Sequence, residues 1–245
     1  MTFSDDEVER YARHLVLREI GGPGQQRLKA ARVLIVGAGG LGAPASLYLA
    51  AAGVGDIAIV DPDTVALSNL QRQVLYQTGD EGASKVARAA ERLGALNPNV
   101  RLEPLDATLD QANARRLIAG RDLVLDGTDS FATRFAVNAA CVAERVPLVS
   151  GAIGRWTGQV GVFEGKPCYQ CLVPEIPPDA ETCSAVGVVG ALAGVIGSLM
   201  ALEAVKLLAG AGEPLVARLM IYDALAAEVR TVRIGADPEC SVCGH

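Results

Sequence analysis

Aromatic side chains are scarce in this sequence. Phe, Trp and Tyr make up 4% of its 245 residues, although half of all residues are hydrophobic. Ala, Leu and Val must therefore build the core, and such small side chains suit helices packed closely on a parallel sheet. A basic surplus is also missing. Lys and Arg number 22 against 28 Asp and Glu, a net charge of −6. No basic run stands out, which argues against a nucleic-acid partner. An anionic ligand must instead be met by a few local cations. The start, Met1-Thr-Phe-Ser-Asp-Asp-Glu7, is acidic and lacks the basic-then-apolar order of a secretion signal. There is no internal repeat and no low-complexity linker. The six cysteines do not read as a secreted disulfide framework. Four of them form two C-x-x-C pairs, which points to a metal in a reducing compartment.

One long stretch lacks charge altogether, from Ala185 to Leu202. It holds four glycines, with Gly190 and Gly194 at G-x-x-x-G spacing. Length alone would permit a membrane span. It is the only such stretch and follows a metal-type cysteine pair, so a buried helix in a core or dimer interface is the better reading.

What is present centres on Arg32-Val-Leu-Ile-Val-Gly37-Ala-Gly39-Gly40-Leu-Gly42. A Val/Ile run predicts a buried parallel strand, and three glycines follow at G-x-G-x-x-G spacing before an Ala/Leu helix. Gly37 permits the tight turn, Gly39 admits a phosphate, and Gly42 lets helix pack on strand. The helix start behind them favours anions. Asp56 to Asp61 predicts the next strand, with Asp61 where a ribose hydroxyl would lie, about 20 residues past the glycines. A duller reading is a tight turn with structural glycines.

Along the chain, Ser4 and the acids after it predict a helix running to Arg18, broken by Gly21-Gly-Pro-Gly24, with a second helix over Gln25 to Ala30. Ser84 to Leu96 predicts a helix with Lys85 near its start. Val100 to Leu105, Asp122 to Asp126 and Pro147 to Ser150 predict strands, and Phe131 to Arg145 a helix. The alternation argues an α/β fold, a Rossmann-like, doubly wound, mostly parallel sheet. Gly158 to Phe163 and Glu228 to Arg233 alternate like exposed strands and predict antiparallel additions at the edge. Leu172 to Thr182, with three prolines, predicts a crossing loop. Gly37, Asp61 and Asp129 all fall at carboxyl ends of strands, where ligands of such sheets bind.

Cys168, Cys171, Cys240 and Cys243 present four sulfurs that suit a structural, tetrahedral zinc site tying the chain's end to its body. A redox disulfide pair is the rival. His245 is near enough to be a ligand, although a frayed terminal residue is the simpler reading. Cys141 reads as core packing. Cys183, at a loop–helix boundary, is either a reactive thiol or a partly buried one without chemistry.

Several segments together resemble one family: Arg10-Tyr11-x-Arg13-His14, the glycine motif, and Asp61-x-Asp63-Thr-Val-x-Leu-Ser68-Asn69-Leu-Gln71-Arg72-Gln73. Lys85, Asp126-Gly-Thr128-Asp129-Ser, Thr182-Cys183-Ser-Ala-x-Gly187 and the two cysteine pairs complete the pattern. The chain is similar in order and nearly throughout to the ThiF/MoeB/HesA family, bacterial relatives of ubiquitin-activating enzymes. The resemblance implies a single adenylation domain over 1–245, with N-terminal helices in 1–30, a nucleotide-binding core in 31–150, and a carrier- and zinc-binding part in 151–245. It implies ATP-dependent adenylation of the C-terminal glycine of a ubiquitin-like sulfur carrier ending in Gly-Gly, serving thiamin, molybdopterin or tRNA-thiolation pathways. Arg72 and Lys85 would meet the triphosphate, and Asp129, beside Thr128, would hold Mg²⁺. Asp61 would bind the ribose, and Ser68, Asn69 and Gln71 would supply neutral contacts. Gly37, Gly39, Gly40 and Gly42 would shape the nucleotide turn. Asp63 and Asp126 would order nearby loops, Arg13 would act across a homodimer, and Cys183 would take part in sulfur chemistry. A cytoplasmic enzyme supplied by a separate sulfur donor protein is expected, because no sulfurtransferase domain follows Cys243. The residues alone also permit an NAD-dependent oxidoreductase or a non-catalytic carrier-binding scaffold.

Overall fold

Five short runs of β-branched and aliphatic residues form the parallel part of one eight-stranded sheet in a computed structural model, which describes residues 2–176 and 187–244. They are β1 (Arg32–Val36), β2 (Asp56–Val60), β3 (Arg101–Leu105), β4 (Leu123–Asp126) and β5 (Leu148–Gly154). Three antiparallel strands follow, β6 (Thr157–Phe163), β7 (Arg218–Asp223) and β8 (Glu228–Arg233). The spatial order is β3-β2-β1-β4-β5-β6-β7-β8. The chain runs outward from β1 in both directions, toward β2 on one side and β4 on the other. That reversal opens a crevice at the carboxyl ends of β1 and β4.

Alternate residues of each strand feed opposite cores. Val33, Ile35, Ile57, Ile59, Leu123 and Leu125 pack on one face with the helices α3 (Gly21–Ala30), α4 (Gly42–Ala51), α5 (Lys85–Leu96) and α9 (Gly190–Ala209). Leu34, Val36, Ala58, Val60 and Val124 pack on the other, beneath α6 (Ala114–Ile118) and α7 (Phe131–Glu144). From Gly190 on, the uncharged segment lies in α9. This helix is long and apolar enough to cross a membrane, yet it lies against α3, α4, β5 and β6 as a core helix.

Four expectations need correction. The N-terminal helix does not run on to Arg18. A capping box between Ser4 and Glu7 starts α1 (Asp5–Arg10), but the chain bends at Tyr11 and only α2 (Ala12–Leu15) follows. The bend carries the Tyr11 ring into the core, where its hydroxyl accepts a bond from Asn97 Nδ2 at 2.9 Å. Gly21 to Gly24 does not break a helix but begins α3. Pro23 lies in the first turn, where a missing N–H costs nothing. Strand β6 is not exposed. It lies between β5 and β7, and α9 packs so close that a Cβ on Gly158 would collide with Ile196. The sheet edge is β8, whose residues are all exposed and half charged. Finally, α6 and β7 were not expected at all. Cys183 and His245 lie outside the described residues, as do 177–182 of the expected crossing loop.

Candidate active site

The first turn after β1 is pinned from two sides. The Ala38 N–H donates to Asp61 Oδ2 at 2.7 Å, and the Ala38 carbonyl accepts from the Tyr76 hydroxyl at 2.7 Å. Gly37 holds φ +91, and a Cβ on Gly42 would overlap the Gly37 carbonyl. Gly42 therefore serves the close packing of α4 behind the turn, as its position in the motif predicts. Asp61 is buried, and its Oδ1 accepts from the Asp63 N–H at 2.8 Å. Both carboxylate oxygens thus brace backbone, while each keeps a further lone pair for a ligand.

A cavity of about 760 Å³ opens above this turn. Of the predicted residues, Gly37, Gly39, Gly40, Asp61, Asn69, Arg72, Lys85, Thr128 and Asp129 line it, as does Asp63. These residues come from five separate parts of the sequence and meet beyond the carboxyl ends of β1, β2 and β4. Ser68, Gln71 and Arg13 are outside the lining. The Ser68 carbonyl accepts from Arg72 Nη1 at 3.2 Å, and Gln71 lies over Gly190 at the start of α9. Arg13 is exposed on α2.

The charges in the cavity are incompletely matched. Lys85 is only 4% exposed and sits at the first residue of α5, where the helix dipole repels a cation. Its Nζ is 2.8 Å from Asp63 Oδ2, a carboxylate that is itself 64% exposed. Asp129 is exposed and, among the described residues, its carboxylate has no hydrogen-bond or ion-pair partner. Asp126 lies beneath it, fully buried. Burial raises its pKa above the ordinary carboxylate value, and the Arg134 guanidinium and the Thr128 N–H only partly oppose this. Its Oδ1 accepts from Thr128 N at 3.0 Å, and its Oδ2 is 3.6 Å from Arg134 Nη1.

The second constellation lies beside the cavity wall, against the Asn138 side chain of α7. Cys168 and Cys171 flank the start of α8 (Tyr169–Leu172), and Cys240 and Cys243 come from the chain's last turn. All four sulfurs lie within 4.8 Å of one another. The two shortest approaches join one motif to the other, Cys168 to Cys240 at 3.7 Å and Cys171 to Cys243 at 3.4 Å. Among the described residues there is no disulfide. Burial pushes the Cys168 thiol up and that of Cys243 up to about 12. At Cys240 burial is outweighed by the N–H groups of Cys243 and Val242, which bring it to about 7. An all-sulfur set this tight suits a soft cation that would hold the thiolates, and zinc fits it. Cys141, by contrast, is buried core, as expected, and burial raises its pKa.

A family model described as the ThiF family matches residues 11–242. The chain belongs to the ThiF family. It is 49% identical over 245 residues to a molybdopterin-synthase adenylyltransferase of Escherichia coli K12, covering 99% of this chain and 98% of that one. It is 47% identical over 253 residues to a sulfur carrier protein adenylyltransferase of Thermus thermophilus, covering 100% and 93%. In structure it is similar to E. coli MccB crystallised with ATP, with a TM-score of 0.79 and 25% identity, covering 91% of this chain and 68% of that one.

The sequence left unmarked two residues that line the cavity of this ThiF-family chain, Gln73 and Arg134, and one behind its glycine turn, Tyr76. Tyr76 locks the glycine turn, and Gln73, quoted in the motif but given no role, is buried at the cavity wall. Among the described residues its Oε1 has no partner. Arg134 is buried on α7, where it donates to Ser150 Oγ at 3.0 Å and to the carbonyls of Gly151 at 2.7 Å and Thr128. An arginine inside a helix reads as a solvated surface residue, so nothing in the sequence marked it.

Proposed function

We propose that this chain is an adenylyltransferase that uses ATP to activate the C-terminal glycine of a ubiquitin-like sulfur carrier, working as one cytoplasmic adenylation domain within a homodimer. The named relatives, an adenylyltransferase of molybdopterin synthase and one of a sulfur carrier protein, support the reaction class. The observation that carries it is the meeting of the Gly39 turn, Arg72, Lys85 and Asp129 in one cavity.

Both reactants are anions, a carboxylate and a triphosphate, so their approach needs positive charge fixed beforehand. The carrier's carboxylate oxygen attacks the α-phosphorus, the bond to pyrophosphate breaks, and an acyl-adenylate remains. Lys85 and Arg72 hold the phosphates, and a phosphate at Lys85 also relieves its unfavourable place at the start of α5. Asp61 faces the ribose and Asn69 supplies a neutral contact, while Ser68 and Gln71, outside the lining, hold the Arg72 segment and the start of α9 in place. Asp129, unpartnered among the described residues, fits Mg²⁺. Asp129 would hold the ion beside the phosphates, where it would supply positive charge for the departing pyrophosphate. Arg13, exposed and outside its own cavity, serves the neighbouring subunit. The four cysteines hold a structural zinc that fastens the C-terminal turn to α8. Sulfur then comes from a separate donor protein, and the part of the chain after residue 150 receives the carrier.

Exchange of labelled pyrophosphate into ATP tests the reading. Exchange that depends on a carrier ending in Gly-Gly, and disappears when that tail is removed, is expected. Absence of exchange with every such carrier, together with tight NAD binding, would overturn it in favour of an oxidoreductase. Metal analysis of the purified protein should give about one zinc per chain.

A further inference from the structure

One face of helix α7 touches both the nucleotide cavity and the cysteine cluster. Arg134 and Asn138 are four residues apart, so they stand on the same side of the helix. Arg134 reaches the cavity loop and the end of β5. Asn138 is buried, at 1% exposure, and its amide is used at both ends. Its Nδ2 donates to Cys168 Sγ at 3.4 Å, and its Oδ1 accepts from the Tyr169 N–H at 2.9 Å. Tyr169 is a wall of the cavity. Its ring lies 5.9 Å from the Arg134 guanidinium and meets Phe163 edge-on at 5.7 Å.

We propose that Asn138 is a positioning residue that ties the metal cluster to the nucleotide cavity, one amide orienting the Cys168 sulfur and the Tyr169 wall together. The inference rests on the reading of the four cysteines as a zinc site. The amide can face only one way. With a thiolate at Cys168 its NH₂ must point to sulfur, because the carbonyl would be repelled, and this directs the carbonyl at the Tyr169 N–H. A partner that fixes a ligand's orientation is worth roughly 10–100-fold in metal affinity. The same group fixes the cavity wall, so a nucleotide that orders this wall strengthens the hold on the metal, and by linkage the effect is mutual.

The test uses the full-length, zinc-loaded protein and follows zinc release to a chromophoric chelator, with and without saturating ATP and without carrier. In wild type, ATP is expected to slow release at least about fivefold, the lower end of typical coupling. Asn138→Leu removes both bonds. Asn138→Ala removes them without adding bulk, so it reads the same effect should the leucine variant not fold. Both variants are expected to release zinc about 10–100-fold faster, with the ATP effect lost. Wild-type release indifferent to ATP, or variants that behave as wild type does, would overturn the proposal. Wild type purified free of zinc would instead remove the zinc reading, and this proposal with it. None of these outcomes depends on adenylation itself, which pyrophosphate exchange reads separately.

Discussion

The two ends of the parallel strands carry the same kinds of side chain and treat them differently. At the amino ends, Arg32 pairs with Asp122, Arg101 with Asp56, and Arg121 with both Asp56 and Glu103. Three guanidinium groups thus meet three carboxylates, and the charge is closed. At the carboxyl ends, Lys85 has only an exposed aspartate, Arg72 only a backbone carbonyl, and Asp129 no partner among the described residues. Closed charge at one end supports the fold. Open charge at the other end calls for a ligand that brings both a strong anion and a cation, which is what ATP with magnesium supplies.

Substitutions at the two ends should therefore separate activity from stability. The largest effect is expected from Asp129→Ala, which lowers carrier-dependent pyrophosphate exchange by at least ~10³-fold with an unchanged melting temperature. Lys85→Ala follows, with ~10²–10³-fold lost. Its melting temperature should hold or rise, because the cation opposed by the α5 dipole is gone and Asp63 remains solvated. At the opposite end Arg121→Ala should do the reverse. It leaves Asp56 short of a partner, at a cost of ~1–3 kcal/mol in urea unfolding, while exchange proceeds as in wild type. Arg101→Ala, an exposed partner, should cost under ~1 kcal/mol. Were Arg121→Ala to abolish exchange while Lys85→Ala left it intact, the division between the two ends would be wrong.

Asp126 sharpens the same contrast through pH. Burial raises its folded pKa, so the folded chain keeps a proton that the unfolded chain has lost. The stability this group contributes is complete below its unfolded value, near pH ~4, and is lost as pH rises through the folded value. Asn cannot titrate. The stability of Asp126→Asn relative to wild type should therefore rise between pH ~4 and pH ~7, whatever fixed cost the variant carries. A difference that stays flat over this range would mean that folding does not raise the pKa of Asp126.

Much of the parallel half was readable because β1, β2 and β4 are short, mainly apolar runs ended by glycine or aspartate, signals that need no tertiary information. The residues of the cavity were readable for a related reason. Gly37, Asp61 and Asp129 each follow a strand directly, so topology alone brings them together. The antiparallel half was less legible. Strand β6 carries two glycines and polar Gln159, and only its place between β5 and β7 under α9 shows that it is buried. Helix α6 has five residues, too few for a period to emerge. The bend at Tyr11 is set by Asn97, which is 86 residues away. Arg134 and Asn138 were missed because a polar residue in a helix looks solvated until the neighbouring elements are in place. The cysteine cluster was legible in full, since its spacing is the chemistry.

A crystal structure of the protein with ATP and magnesium tests the central claim most directly. The account predicts the triphosphate between the Gly39 turn and Lys85, with the metal ion against Asp129. Phosphates settled anywhere else, or a metal ion held away from Asp129, would contradict it.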